Sequence, residues 1–297
     1  MVYGLPVAEF EKYSEEWLDD LLRRGKAKPT ARIYRWAVET LLPVAREVGS
    51  VNREALDRWQ DRLLKKGMTS RTRSLAGTAI RRFLFWAVER DLCDARLPLA
   101  VPAPAYLRRK LPSPLDRADV RKIEDYLAQP PFTVHHLRDR ALFNYVLATA
   151  APVSEILGVR KRNFEHAVVR KVGGGERVLH APPKVAALIQ AYLDRRGTDD
   201  LDALWIGWRR GGEPMALQDS GIAKVWERIA HKAKVPVFST RELRHTAGTR
   251  LAELGYDIES IQEHLGARDV RTVQGYIRIA KSARMERVQA ALDVGAF

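Results

Sequence analysis

The chain has 297 residues, of which 51 are Lys or Arg and 37 are Asp or Glu, so its formal net charge is +14. This length favours two domains, and this charge favours a polyanionic partner, with nucleic acid as the leading candidate and a merely solvated basic surface as the alternative. The single cysteine, Cys93, excludes an internal disulfide and a thiolate zinc site, because each needs at least two cysteines.

The N-terminal segment lacks the features of a signal peptide. It reaches an acidic residue at Glu9 and has no basic start followed by an apolar run. No apolar stretch of the chain approaches the roughly 20 residues of a membrane helix. We therefore expect a protein that stays in the cytoplasm with DNA and contacts no membrane.

Apolar residues at three- and four-residue spacing predict an N-terminal helical domain over residues 1–95. Its four helices are expected over residues 7–24, from about 29 onward, between 50 and 67, and from 69 or 70 onward. The apolar faces of these helices are expected to include Phe10, Trp17, Ile33, Leu41, Leu56, Leu64, Phe83 and Phe85.

Basic side chains occupy the faces that the apolar stripes leave free. Each one alone is usually a solvated charge, but their clustering at the third and fourth helices indicates a surface for DNA phosphates. The candidate DNA-binding residues are Arg53, Arg62, Lys65, Lys66, Arg71, Arg73, Arg81 and Arg82.

A proline-rich basic segment follows at residues 96–114. Its five prolines between Leu97 and Pro114 predict a linker without helix or central strand. Its basic triplet of Arg108, Arg109 and Lys110 is a further candidate for contact with DNA.

The remaining residues, 115–297, predict a second domain that is mostly helical. Helices are expected at 113–127, at 138–150 and in the short VSEILGV segment, and a loop is expected near Trp205 to Pro214. Two strand-like runs on either side of Gly173, Gly174 and Gly175 predict a hairpin. The expected fold class is therefore mainly α with a small antiparallel β-sheet (α+β).

The segment from Arg241 to Tyr276 closely resembles the second conserved box of the tyrosine recombinase, or phage-integrase, family, in its Xer-like form. That box has an HxLRH element, a helix, an LGH element and, nine residues later, a nucleophilic tyrosine. The matching residues are Leu243, Arg244, His245, Leu265, Gly266 and Tyr276, which lies nine positions after Ala267.

The resemblance extends over nearly the whole chain. Residues 138–159 resemble the first box of the family, and residues 173–177 resemble the turn of its small sheet. The N-terminal helices resemble the DNA-clamping core-binding domain. The resemblance thus implies a four-helix SAM-like core-binding domain and an integrase-type catalytic domain.

The chemistry implied by this resemblance is attack of a tyrosine hydroxyl on a DNA phosphodiester, which leaves a 3′-phosphotyrosyl link. Fixed arginines stabilise the charge on the phosphoryl oxygens, and a lysine protonates the leaving 5′-oxygen. No metal or cofactor is required. The implied site residues are Tyr276, Arg244, His245, Arg241 and Lys171.

Four positions depart from the family pattern. Pro152 stands where the family has its first arginine, Val172 where it has the lysine, Arg241 for the first histidine of HxLRH, and Ala267 for the last histidine or tryptophan. Lys171 lies beside the lysine position, but adjacent residues of a strand face opposite sides, so it substitutes only if a bulge or register shift redirects it. Glu155 is expected to support the fold.

Three interpretations follow from these departures. The first is an accessory or architectural DNA-binding protein of the family with weak or lost strand cleavage, and the second is an active recombinase that uses Tyr276. The third is a helical DNA-binding regulator unrelated to recombinases. Tyr276, Arg244 and His245 also have purely structural interpretations, as packed or ion-paired side chains.

The residues after Tyr276 predict a terminal helix with a regularly spaced apolar face. In the family, such a helix often docks on a neighbouring subunit, so a second copy or a related recombinase is a candidate partner on DNA; packing on its own domain is the alternative. The apolar residues are Met285, Val288, Ala291, Leu292 and Val294.

Overall fold

The computed structural model describes residues 4–101, 113–171 and 174–293. The chain divides into two compact units, Met1–Arg109 and Lys110–Phe297. Helices dominate both, and the strands pair in small antiparallel two-stranded sheets. This confirms the predicted mainly α class with small antiparallel pairing. Within the described ranges, no helix is both long and apolar enough to span a membrane.

The first unit contains the four predicted helices, and short strands precede and interrupt them. Its elements are β1 (Leu5–Pro6), α1 (Val7–Arg23), α2 (Lys28–Val48), β2 (Ser50–Val51), α3 (Arg53–Lys65), α4 (Ser70–Val88) and α5 (Leu97–Ala100). Side-chain caps begin two of the helices: the Asn52 side-chain oxygen Oδ1 accepts from Ala55 N, and the Thr69 hydroxyl accepts from Thr72 N. β1 and β2 pair antiparallel.

Aromatic residues lie at the centre of the core of this unit. The Trp17 and Tyr34 rings stack with centroids 5.4 Å apart, and Phe83 packs edge-on against Trp17. The buried Trp59 indole donates to the Thr40 hydroxyl at 3.1 Å. A single core therefore holds α1 to α4 together.

Three residues expected in that core are exposed instead. They are Ile33, Leu64 and Phe85. In α3, burial of Leu56 and Leu63 on one stripe rotates Leu64 by about 100° toward solvent, because successive helical residues are spaced by that angle. The predicted apolar stripes were therefore too wide.

The first part of the predicted linker is structured. Leu97–Ala100 forms the short helix α5, with Pro98 in its first turn. Proline is tolerated there because the N–H groups of the first turn have no acceptor within the helix. Leu97 is buried, and the Arg81 guanidinium donates to the Val101 carbonyl at 2.6 Å. The prediction of no helix in this segment was therefore wrong for these four residues. The triplet Arg108, Arg109 and Lys110 lies outside the described residues.

The second unit is a helical domain with two hairpins. Its elements are α6 (Arg117–Ala128), α7 (Val134–Thr149), α8 (Val153–Ile156), β3 (His166–Arg170), β4 (Glu176–His180), α9 (Pro183–Arg196), β5 (Ile206–Trp208), β6 (Pro214–Ala216), α10 (Asp219–Ala233), α11 (Thr240–Glu253), α12 (Ile258–Leu265) and α13 (Val270–Asp293). The predicted hairpin is confirmed as β3 and β4, which pair antiparallel.

Helix starts and one loop differ from the predictions. α6 begins after Asp116, whose carboxylate accepts from Ala118 N, and not near Ser113. α7 begins after Thr133, about one turn before Arg138. The segment predicted as a loop contains the antiparallel strands β5 and β6, which were missed because three-residue strands show no clear alternation.

The core of the second unit surrounds α7. Phe143 on α7 packs edge-on against Trp226 and Phe238. Near the start of α7, the buried Asp139 carboxylate pairs with Arg138 at 2.7 Å and with Arg228 at 2.6 Å. The buried charges of Arg138 and Asp139 are thus paired, as buried charges must be, and the partly exposed Arg228 adds a second partner for Asp139. α7 thus anchors the unit in which α11 and α13 meet.

Candidate active site

α11 begins at a capping box, which fixes the first turn of the helix. The Ser239 hydroxyl accepts from Glu242 N at 3.4 Å, and the Glu242 carboxylate accepts from Ser239 N at 2.8 Å. Arg241 and Arg244 lie three residues apart, and Arg241 and His245 four, so the three share one face of the helix. The cap therefore sets the direction in which these side chains leave the backbone.

Tyr276, on α13, is completely buried against this face. The residue is 0% exposed, and its hydroxyl oxygen lies 2.8 Å from His245 Nδ1. A Cβ atom at Gly248 would stand only 2.8 Å from two carbons of the Tyr276 ring. Glycine at 248 therefore makes room for the tyrosine, a requirement that the sequence interpretation missed.

Arg244 joins α11 to the end of α7. Its Nη1 donates to the Ala150 carbonyl at 2.7 Å, and Ala150 ends α7 in the left-handed conformation with φ of 49°. Burial lowers the pKa of Arg244, while the neighbouring Tyr276 and Glu155 oppose this. An arginine remains charged in any case. One of its donors is thus directed at the backbone.

His245 lies between two site residues. Arg241 is exposed, and its Nε donates to His245 Nε2 at 3.2 Å, while Tyr276 contacts Nδ1. Burial, followed by the charges of Arg241 and Arg244, lowers the pKa of His245 to about 4. Burial raises the pKa of the Tyr276 phenol, and the charges of Arg244 and Arg241 oppose that rise. At neutral pH, both His245 and Tyr276 are therefore uncharged.

Pro152 begins α8, with φ of −70° and ψ of 159°. Three residues later, the buried carboxylate of Glu155 accepts from Arg177 Nε at 2.8 Å and lies 2.7 Å from Arg177 Nη2. Arg177 Nη1 also donates to the His264 carbonyl at 2.6 Å. Glu155 therefore has the structural role expected of it, and its partner is a strand arginine.

The sequence interpretation missed Arg177 as a member of this region. A usable signal was present, because alternation along β4 places Arg177 on the same side as the buried Leu179. A charge on an inward face requires a partner. Gly266 provides the space: it ends α12 with φ of 61°, and a Cβ there would lie 2.9 Å from Arg177 Nε. The close approach of Arg177 therefore explains the glycine of the LG element.

Lys171 lies at the turn of the hairpin formed by β3 and β4. Its N–H donates to the Gly175 carbonyl at 2.9 Å, and a Cβ at Gly175 would lie 3.3 Å from Lys171 Cε. Lys171 lines a cleft of about 1000 Å³ together with Arg177, His264 and Ala267. The structure thus brings Arg241, Arg244, His245 and Tyr276 together, while Lys171 lies at the hairpin turn. Val172 lies outside the described residues.

The basic residues predicted to bind DNA differ in their surroundings. Arg62 donates to both carboxylate oxygens of Glu47 at 2.8 and 2.9 Å, and Arg81 bonds to Val101. Arg73 is half-buried. The exposed candidates are Arg53, Lys65, Lys66, Arg71 and Arg82. Across residues 4–101, 113–171 and 174–293, no group of three or more His, Cys, Asp or Glu side chains is placed to hold a metal ion.

A histidine and an arginine of α11 lie beside a buried tyrosine of α13, the arrangement expected of a protein that transfers phosphoryl groups through tyrosine. Residues 114–283 match the model described as the phage integrase family. The chain belongs to this family, the tyrosine recombinases, whose role is DNA recombination. The interpretation as a regulator unrelated to recombinases is thereby wrong.

Similar proteins include recombinases of the Xer type. The tyrosine recombinase XerA of Thermococcus kodakarensis is 28% identical over 278 residues, covering 92% of this chain and 90% of that protein. XerC of Corynebacterium efficiens is 26% identical over 273 residues, covering 90% and 86%. The expected Xer-like resemblance is confirmed.

Solved structures share the fold across both units. The XerH recombinase bound to a palindromic difH substrate has a TM-score of 0.68 at 16% identity, covering 97% of this chain and 85% of that one. A λ integrase dimer bound to a core site has a TM-score of 0.67 at 12% identity, covering 93% and 95%. The expected integrase-type fold is confirmed.

Proposed function

We propose that this chain binds double-stranded DNA at a recombination-type site and cleaves it weakly or not at all, as an accessory or architectural member of its family. The observation that carries this proposal is Pro152, which has neither charge nor donor where the family has an arginine. The guanidinium that contacts this region, Arg177, is already bound to Glu155 and to the His264 carbonyl. Loss of one oxyanion donor lowers a rate by about 100- to 1000-fold.

DNA binding is supported by charge and by the relatives. The exposed basic residues of α3 and α4 lie in a chain of net charge +14, and XerH and λ integrase are both seen bound to DNA. We assign residues 1–95 to a core-binding domain, 96–114 to a linker with Arg108, Arg109 and Lys110 as DNA contacts, and 115–297 to the catalytic-type domain.

A second copy of the chain, or a related recombinase, is the proposed partner on DNA. Met285, Val288 and Leu292 on α13 are exposed rather than packed on their own unit. Ala291 is half-buried, and Val294 lies outside the described residues. An apolar helix face of this kind is typical of a protein interface.

An active recombinase is the second candidate. It is favoured by Tyr276, Arg244 and His245, which keep the positions of the family, and by Arg241, whose exposed guanidinium is able to hold a phosphate. In this reaction, the Tyr276 oxygen bonds to phosphorus and its proton passes to solvent water. The bond from phosphorus to the 5′-oxygen breaks, and Lys171 would supply a proton to that oxygen.

A suicide-substrate assay distinguishes the two candidates. The protein is incubated with nicked duplexes from the genomic surroundings of its gene, then analysed on native and denaturing gels beside Tyr276→Phe. We expect a shifted complex on the native gel for both proteins and no Tyr276-dependent covalent band on the denaturing gel. Rapid formation of a band that Tyr276→Phe abolishes would establish the active recombinase instead.

A further inference from the structure

Arg241, His245 and Tyr276 form a continuous chain of hydrogen bonds. Arg241 Nε lies 3.2 Å from His245 Nε2, and His245 Nδ1 lies 2.8 Å from the Tyr276 hydroxyl oxygen. Both ring nitrogens of His245 are therefore engaged, one by each neighbour. The resemblance to the family places a histidine, not an arginine, at position 241.

The arginine determines the direction of this chain. Arginine Nε always carries hydrogen and never accepts, so His245 Nε2 must be the acceptor and must lack a proton. A neutral imidazole carries one N–H, which is then on Nδ1. That N–H points at the Tyr276 oxygen. Burial and the Arg241 and Arg244 charges, which lower the pKa of His245, agree with a neutral ring.

We propose that Arg241 is a positioning residue that holds His245 in the Nδ1–H tautomer, so that His245 donates to the Tyr276 oxygen and cannot accept its proton. The donor stabilises a phenolate once one exists. It leaves no free lone pair on the ring to remove the tyrosine proton, so that proton must leave by another route. The effect of this tautomer on the reactivity of Tyr276 rests on the proposed function, whereas the tautomer itself does not.

The alternative to this proposal is a hydrogen bond in the opposite direction, from Tyr276 to His245. If the Tyr276 hydroxyl donated to Nδ1, the ring proton would be on Nε2, facing the Arg241 N–H without an acceptor. His245 would then be poised as a general base. The 2.8 Å distance from His245 Nδ1 to the Tyr276 oxygen fits a hydrogen bond in either direction, so the two arrangements differ in the position of the proton.

Nitrogen NMR reads that position directly. The protein contains seven histidines. Long-range proton–nitrogen correlations of ¹⁵N-histidine-labelled protein at neutral pH distinguish protonated from bare ring nitrogens, and His245→Gln identifies the signals of His245. We expect Nδ1 at the protonated shift and Nε2 at the bare shift in the wild-type protein.

Three variants test the cause. In Arg241→Met, which removes an exposed donor, we expect the two His245 nitrogens to exchange shifts, toward the Nε2–H tautomer. In Tyr276→Phe, we expect His245 to remain Nδ1–H, because Arg241 still faces Nε2. Arg250→Met, on the same helix, serves as the matched control and should leave the His245 signals unchanged. Thermal unfolding confirms that each variant is folded.

The proposal is overturned by a wild-type His245 that is Nε2–H or doubly protonated. It is equally overturned if Arg241→Met leaves the tautomer unchanged, or if Tyr276→Phe reverses it. These spectra need neither DNA nor activity. Rapid cleavage in the suicide-substrate assay would therefore contradict the proposed function and leave this inference standing, and a wrong tautomer would do the converse.

Discussion

Substitution of Gly248 tests the close packing between this residue and the Tyr276 ring. An alanine would normally stabilise a helix interior by about 1 kcal/mol relative to glycine. Here its methyl group would stand 2.8 Å from the Tyr276 ring, and overpacking of this kind costs about 1–3 kcal/mol. We expect Gly248→Ala to lower the free energy of unfolding, measured by urea denaturation.

Gly211, between β5 and β6, is the control for adding a methyl group. Among the described residues, no atom beyond its chain neighbours lies within 4 Å of a Cβ placed there. Gly211→Ala should therefore have nearly the stability of wild type. A Gly248→Ala protein as stable as wild type would show that Tyr276 is not held as described.

His245 should make stability depend on pH. Its pKa is lowered to about 4 from an ordinary value of 6.5, so the unfolded chain takes up the proton first as pH falls. The stability that neutral His245 confers is complete above pH 6.5, decreases between 6.5 and 4 and is lost below 4. The full loss is about 3 kcal/mol.

The measurement compares wild type with His245→Gln by denaturation at several pH values. Arg241, Arg244, Glu242 and Tyr276 surround the ring in wild type and remain in the variant, so the difference between the two curves isolates His245. We expect the stability advantage of wild type to shrink as pH falls from 7 to 4.5. An advantage that is constant over this range would contradict a lowered pKa.

At this scale, the sequence predicts positions better than contacts. The spacing of conserved elements located Arg244, His245 and Tyr276, and the structure brings them together. Arg177 and Gly248 were missed because their partners are distant along the chain: Glu155 is 22 residues from Arg177, and the Gly248 neighbour is on another helix. Such pairings depend on how α11, α13 and the hairpin pack, which no local pattern specifies.

The start of α11 matters for the whole site, since three site residues lie within its first two turns. Loss of a serine cap costs about 0.5–2 kcal/mol. We expect Ser239→Ala to destabilise the protein by this amount and to weaken amide protection at the start of α11 in hydrogen exchange. Ser239→Asp, which restores an acceptor, should recover most of the loss. If Ser239→Ala and wild type were equally stable, the Ser239 cap would not stabilise α11.

Among elements, length decided which ones were predictable. The long helices α1 to α4 have enough turns for an apolar period to show. The three-residue strands β5 and β6 and the four-residue α5 are too short for any period. α5 forms because Leu97 is buried in the first unit, a tertiary effect that overrides the proline-rich composition around it.

Over the whole molecule, the charge of +14 predicts DNA binding that weakens steeply with salt, since phosphate contacts release counterions. Replacing four exposed residues in and next to α3 and α4 by glutamine should reduce the slope of log K against log salt by up to about 4, roughly one for each phosphate that the variant no longer neutralises. The residues are Lys65, Lys66, Arg71 and Arg82.

The control removes the same number of positive charges in and next to α1 and α2. Its substitutions to glutamine are at Arg23, Arg24, Lys28 and Arg32, which are exposed in the same unit. Binding is measured by fluorescence anisotropy over a salt series. If the control lowers the slope as much as the α3–α4 variant, the interface is net charge alone, and the proposed surface is wrong.

The measurement that tests the central claim most directly is the rate of covalent adduct formation on one nicked duplex, compared between wild type and Pro152→Arg, each with its Tyr276→Phe control. Pro152 has φ of −70°, which arginine adopts without strain. We predict that Pro152→Arg forms the Tyr276-dependent adduct at least about 100-fold faster, because it restores one oxyanion donor. A wild-type protein that forms this adduct as fast as Pro152→Arg would contradict the account.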